Sequence, residues 1–188
     1  MTKVTPQAVP EVLLIEPPKF GDERGFFSET YNAKVLAKAG FEAMFVQDNH
    51  SRSPKKGTVR GLHFQAPPFA QDKLLRVTRG AILDVAVDIR RGSPTYGKAV
   101  AVELSAENWA QLLVPKGFAH GVQTLTDDVD VLYKVTDYYA PASEAGLLWS
   151  DPALGIDWPL TAAESTINAR DAAFPTLADF DSPFTYEA

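Results

Sequence analysis

The sequence predicts an all-β fold, a sandwich or barrel of short strands, and three observations carry that expectation. About ten short segments are rich in Val, Leu, Ile, Phe and Tyr, and several alternate in polarity with period two. Turn chemistry separates them: Gly80, Gly92-Ser93-Pro94, Pro115-Lys116-Gly117 and Thr126-Asp127-Asp128. Only one stretch reads as a sizeable helix. A double-sheet jelly roll is the version that closes on itself and leaves an open-ended interior pocket. The pattern alone does not separate it from other β-sandwiches.

Along the chain, strands are expected at 12–16, 25–30, 43–48, 58–65, 73–79, 81–89, 98–104, 110–114, 118–125 and 129–139. Residues 1–20 read as an extended arm punctuated by Pro6, Pro10, Pro17 and Pro18. The helix follows, with Asn32 as its cap, good formers at Ala33, Lys34, Leu36, Ala37 and Lys38, and Gly40 as its stop. From about residue 150 the chain is rich in Pro, Ala and Asp, which suits a packed tail with small helices and not a second domain. The 188 residues fit one domain spanning 1–188, since ~100–200 residues is the usual size.

Composition narrows the chemistry. The chain is 45% hydrophobic, enough to bury a core without staples, and contains no cysteine. Disulfide scaffolds, thiolate metal sites, iron–sulfur clusters and cysteine nucleophiles are therefore excluded. Only His50, His63 and His120 are available as imidazoles, in separate segments and without an HxH pair, so no metal site is expected. Lys+Arg 18 against Asp+Glu 24 gives a net charge of -6, and without a basic run nucleic acid is not an expected partner. The longest apolar stretch near the N-terminus, Val12 to Ile15, falls short of a signal core or a membrane helix. A soluble cytoplasmic protein is expected.

Five clusters could do chemistry. The segment 47–63 begins Gln47, Asp48, Asn49, His50, Ser51, a strand running into a loop whose polarity is a poor match for core. Arg60 and His63 then interrupt an apolar strand, where a lone polar residue must find a partner. Strict alternation puts them on opposite faces unless Gly61 allows a bulge. Lys73 opens a strand, and ordinarily that is a solvated end. Phe118, His120 and Val122 share one face, as do Val131, Tyr133, Val135 and Tyr139 by parity. Core packing is the ordinary role of such tyrosines, provided the hydroxyl finds a partner. Arg170 and Asp171 precede an apolar anchor in the tail, and Asp84, inside an apolar strand, must pair with something.

Taken in order, these motifs resemble one family, the dTDP-4-dehydrorhamnose 3,5-epimerases. The resemblance runs through FGDERGFFSETYN (20–32), FVQDNHSRS (45–53), VRGLHFQ (59–65), KLLRVTRGAILDVAVDIRRGSPTYG (73–97), LSAENWAQLLVPKGFAHG (104–121), LYKVTDYYAPASEAGLLWSDPALGIDWP (132–159) and ARDAAFP (169–175). It implies a cofactor-free homodimer of the cupin type, a double-sheet jelly roll, with exchange of the N-terminal strand between copies. The implied substrate is dTDP-4-dehydro-6-deoxy-D-glucose, whose C4 ketone acidifies the protons at C3 and C5. By the same resemblance His63 is the base, Asp171 its partner, Lys73 the group that neutralises the oxyanion, and Tyr133 the acid. Arg24, Glu29, Gln47, Asn49, Arg60, His120, Glu144 and Arg170 match contacts to the sugar nucleotide, and Tyr139 matches the aromatic that stacks on thymine. Phe26 or Phe27 is placed along the same groove. Arg170 stands where related sequences often carry Lys, a departure that keeps the cation. Two rivals follow: an epimerase acting at C5 or C3 only, and a sugar-nucleotide-binding jelly roll without catalysis. The presence of His63, Tyr133 and Asp171 together argues against the second.

Overall fold

A computed structural model describes residues 1–187. Numbered along the chain, its first strands are β1 (Lys3–Pro6), β2 (Leu13–Glu16), β3 (Phe20–Asp22), β4 (Gly25–Phe27), β5 (Gln47–Ser53), β6 (Val59–Gln65) and β7 (Lys73–Arg79). β8 (Ala81–Asp88), β9 (Ala99–Ser105), β10 (Gln111–Val114), β11 (Phe118–Thr124), β12 (Val129–Val135) and β13 (Glu144–Gly146) complete the set. Two short helices join them, α1 (Ala33–Lys38) and α2 (Ala169–Ala172). The strands form two antiparallel sheets, one in the order β1-β2-β10-β7-β12-β5 and the other β13-β6-β11-β8-β9. β3 and β4 make a separate hairpin. This is the expected all-β double-sheet jelly roll.

Period-two alternation dictates the layers. Leu75, Val77, Leu112, Val114 and Val131 of the first sheet face Ile82, Ala86, Val100, Leu104, Phe118 and Val122 of the second, and together they form the central core. The residues of opposite parity need cover of their own. Leu13, Ile15, Leu74 and Leu113, on the outer face of the six-stranded sheet, pack beneath Leu36 of α1 and against Tyr31, Phe41 and Phe45. Phe64, Val85, Val87 and Ala119, on the outer face of the other sheet, lie beneath Leu147, Trp149, Leu154 and Phe184. The Pro-rich tail thus covers apolar strand faces through Leu154 and Phe184, with Trp158, Leu177 and Phe180 packed alongside. α1 begins as its sequence predicts, with the Asn32 side chain accepting from the Lys34 N–H at 3.0 Å.

Several strand expectations shift. The strand placed at 43–48 is instead β5, built from the polar run QDNHSRS. Phe45 leaves the ladder to join Tyr31 and Phe41, with ring centroids 5.5 and 5.6 Å away. β5 is a sheet edge whose inner residues line a cavity, so neither of its faces is apolar. Two ion pairs and a hydrogen bond across to β12 and its first flanking residue hold it: Lys134 to Asp48 at 2.8 Å, Arg52 to Asp128 at 2.6 Å, and His50 Nε2 to Asp130 Oδ1 at 3.1 Å. β12 stops at Val135, so Tyr139 lies in the following loop and outside the parity of Val131, Tyr133 and Val135. The first residues form β1, paired in register with β2 of the same chain from Lys3↔Glu16 to Pro6↔Leu13. β13 has no signature in the sequence, because three residues, Glu144, Ala145 and Gly146, are too few to show a period.

Candidate active site

One residue of β6 decides which side chains share the interior. On β11, His120 and Val122 are two positions apart; on β6 their partners His63 and Arg60 are three apart. The surplus residue is Gly61, at φ +113°. A Cβ there would lie 2.6 Å from the His120 carbonyl oxygen and 2.7 Å from the Gly121 Cα, so only glycine fits. The bulge resolves the parity problem. Val59 and Leu62 both pack outward, while Arg60 and His63 both line the interior cavity.

The cavity lies where the inner layer turns from apolar to polar. Along β7, Val77 and Leu75 belong to the central core and Lys73 does not. Two adjoining chambers of about 330 and 250 Å³ share His63, Lys73, Tyr133 and Glu144. The larger adds Gln47, Asn49 and Tyr139; the smaller adds Arg60, His120, Arg170 and Asp171.

Asp171 reaches His63 from the first turn of α2. His63 Nε2 is 2.9 Å from Asp171 Oδ1, and Asp171 Oδ2 accepts the Gly61 N–H at 3.0 Å. The carboxylate is fully buried. Burial alone would raise its pKa, but the hydrogen bonds from His63 and Gly61 outweigh that and hold it below the usual range. Asn168 sets the angle, its side chain accepting the Asp171 N–H at 2.7 Å as the helix cap. Burial lowers His63 below its ordinary value, more than Asp171 raises it, so the imidazole is neutral at neutral pH. Burial likewise draws Lys73 down to about 8, opposed by Asp84 and Glu144. Tyr133 is pushed up by burial, which keeps a neutral phenol.

A second His–Asp pair faces the same cavity. His120 Nε2 is 2.7 Å from Asp84 Oδ1 on the neighbouring strand. Asp84 therefore engages His120 and not His63, which settles the open question of its partner. Glu144 anchors the rim, receiving Arg170 Nη1 at 2.6 Å and the Tyr139 hydroxyl at 2.9 Å. Its carboxyl is raised by burial but lowered further by Arg170 and Tyr139, leaving it ionised. Gln47 Nε2 donates to Asn49 at 2.9 Å, and Arg60 Nε donates to Ser53 at 3.2 Å.

Eleven of the thirteen residues anticipated for the site converge on this cavity: His63, Lys73, Tyr133, Asp171, Gln47, Asn49, Arg60, His120, Tyr139, Glu144 and Arg170. Arg24 does not, since it sits at the exposed tip of the β3–β4 hairpin in an ion pair with Asp22. Glu29 lies between β4 and α1, accepting from Asn32 at 2.9 Å, and lines a groove over Leu74 and Arg76 instead. His50 faces outward to Asp130. Asn168 was not anticipated, although its place three residues before Asp171 is the spacing of a helix cap.

Comparison with known proteins identifies the family of the chain. A family model described as dTDP-4-dehydrorhamnose 3,5-epimerase matches residues 6–179. A Salmonella typhimurium dTDP-4-dehydrorhamnose 3,5-epimerase is 52% identical over 178 residues, covering 94% of this chain and 96% of the relative. A crystal structure of a Legionella pneumophila dTDP-6-deoxy-D-glucose-3,5-epimerase in complex with dTDP-4-keto-L-rhamnose superposes with a TM-score of 0.95 at 46% identity, covering 100% of both chains. A Bacillus anthracis dTDP-4-dehydrorhamnose 3,5-epimerase with TDP and PPi bound gives 0.89 at 48% identity, over 94% of this chain and 99% of that one. The chain belongs to the dTDP-4-dehydrorhamnose 3,5-epimerase family of sugar-nucleotide isomerases.

Proposed function

We propose that this enzyme epimerises dTDP-4-dehydro-6-deoxy-D-glucose at C3 and C5 to dTDP-4-dehydro-L-rhamnose, in the biosynthesis of dTDP-L-rhamnose. The observation that carries the reading is the cavity shared by the His63–Asp171 pair, Lys73 and Tyr133. Neutral His63 takes the proton from C5 or C3, and Asp171 orients the ring and stabilises the imidazolium. The electron pair moves onto the C4 oxygen, where the Lys73 ammonium meets the enolate charge. Tyr133 returns a proton to the carbon from the opposite face, and the two groups recover their protonation states by exchange with solvent. Each half-reaction is redox-neutral. Arg60, Arg170 and His120 bind the sugar nucleotide, arginine being suited to the diphosphate by its planar fork. Tyr139, exposed at the cavity mouth, stacks on thymine.

The purified protein in D₂O is expected to place deuterium at both C3 and C5, read separately by NMR. Exchange at one carbon alone identifies a mono-epimerase, and no exchange refutes the reading. The pH dependence follows from the local charges. Activity should rise on the acid side through a pKa below 6.5, as His63 loses its proton. It should fall on the basic side near pH 8, as Lys73 loses its own. In Lys73→Arg the guanidinium stays charged, so whatever activity remains should lack that basic limb.

The same reading makes the enzyme a homodimer. Phe20, Phe26 and Phe27 on the β3–β4 hairpin are more than half exposed, which suits burial against a second copy. Arg24 and Glu29 would then serve the partner's cavity. Exchange of β1 between copies would replace a ladder that the single chain already closes with its own β2. Sedimentation is expected to report a dimer; a fully active monomer would contradict this.

A further inference from the structure

Asp84 is fully buried on β8, yet only one of its oxygens is used. Oδ1 meets His120, and Oδ2 has no hydrogen-bond partner among the described residues. A buried carboxylate oxygen without a partner is costly, and the hydrogen bond between Oδ1 and His120 answers only half of that cost. Lys73 has the converse deficit. It enters the same interior layer from the opposite sheet, and its Nζ makes one long hydrogen bond, 3.5 Å to the His63 carbonyl oxygen.

We propose that Asp84 is a positioning residue for the epimerisation, its Oδ2 serving as the counter-charge that keeps Lys73 an ammonium while its Oδ1 holds His120 against the cavity. This rests on the reading of Lys73 as the group that meets the enolate. Burial drives Lys73 toward neutrality, and Asp84 is the leading carboxylate that opposes it, with Glu144 second. Glu144 is already engaged by Arg170 and Tyr139, and Asp171 by His63. The other charged or titratable groups around Lys73 are His63 and Arg60 on β6, His120 on β11 and Tyr133 on β12. None of these four supplies a carboxylate. A lysine that lost its proton here would leave the C4 oxygen without a cation at the moment charge develops on it.

Asp84→Asn keeps an acceptor for His120 and removes the charge. The basic limb of kcat is expected to move down by about one pH unit. At pH 7.5 kcat should fall roughly threefold, with KM little changed, and the deficit should approach about tenfold near pH 9. Asp84→Glu should restore part of the limb. A purely structural role would lower the amount of folded enzyme and leave the limb in place, and a superimposable pH profile overturns the proposal. The charge can also be read without turnover, from the 13Cε resonance of Lys73 assigned with Lys73→Met. It should titrate near 8 in the native enzyme and lower in Asp84→Asn. An unchanged titration refutes the counter-charge even if the native protein shows no exchange at C3 or C5, an outcome that would refute the epimerase reading separately. If Asp84→Asn is too unstable to study, adding Lys73→Met should recover folding, because the pair would then be removed together. No recovery would mean that Asp84 serves His120 alone.

Discussion

His63→Ala is expected to suppress deuterium incorporation at C3 and C5, with a loss of about 10²–10⁴-fold in kcat, the range for removing a positioned general base. Binding of the dTDP-sugar should survive within a few-fold, because the arginines, Gln47, Asn49 and Tyr139 are untouched. Asp171→Asn should lose about 10²-fold or more, because the amide can no longer stabilise an imidazolium and one of its faces presents N–H where His63 requires an acceptor. The loss in Asp171→Asn should also show in the acid limb. The native carboxylate helps hold a proton on His63, so its removal should move that limb still lower. The pair is measured by stopped exchange in D₂O and by calorimetric titration with dTDP. Retention of exchange within tenfold in His63→Ala would place the base elsewhere and sink the proposed mechanism. Loss of binding together with exchange would mean that the substitution had collapsed the cavity.

The largest effect on stability is expected from Gly61→Ala. The added methyl group meets two backbone atoms of β11, the His120 carbonyl oxygen and the Gly121 Cα, neither of which can yield as a flexible side chain would. The φ of +113° is itself unfavourable for an L-residue, at about 1–3 kcal/mol. With the contact added, a total of about 3 kcal/mol or more is reasonable, since β6 and β11 sit in the middle of the sheet. For a chain of this size that corresponds to a Tm lower by roughly 6–12 °C. Function should suffer as well. If the bulge is lost, strict alternation returns and Arg60 or His63 must leave the cavity. Differential scanning calorimetry with the exchange assay reads both. A Tm within about 2 °C of native and full exchange would show that the bulge does not depend on glycine.

The fold was legible where strands have one apolar face. The segments 73–79 and 118–125 announced themselves because Leu75, Val77, Phe118 and Val122 alternate against residues of other kinds. β5 did not, since its inner face lines a polar cavity and its outer face pairs with polar and charged residues of β12 at the sheet edge. The apolar run before it, ending in Phe45 and Val46, drew the expected strand toward the wrong side. Tyr139 was placed on the strand for a similar reason. Parity extends indefinitely on paper, whereas the ladder ends at Val135, where the chain turns into the loop that closes over Glu144.

The sequence by itself determined the chemical inventory: a cysteine-free chain with three histidines, an apolar content sufficient for two sheets, and a set of motifs belonging to one epimerase family. It also marked Arg60, His63, Asp84 and His120, because a charged or imidazole side chain within an apolar strand has few reasons to be there, while the resemblance to the family supplied most of the other cavity residues. The tertiary structure alone decided how they are paired. Whether Asp84 met His63 or His120, and whether Arg60 could face the same way as His63, depended on a single surplus residue at Gly61 and on the register of β6 against β11 and β8. Hydrogen bonds and ion pairs act over about 3 Å, and such proximity between residues tens of positions apart is created by strand registry across a sheet. Local pattern can report that a buried charge needs a partner; only the packed chain selects which one.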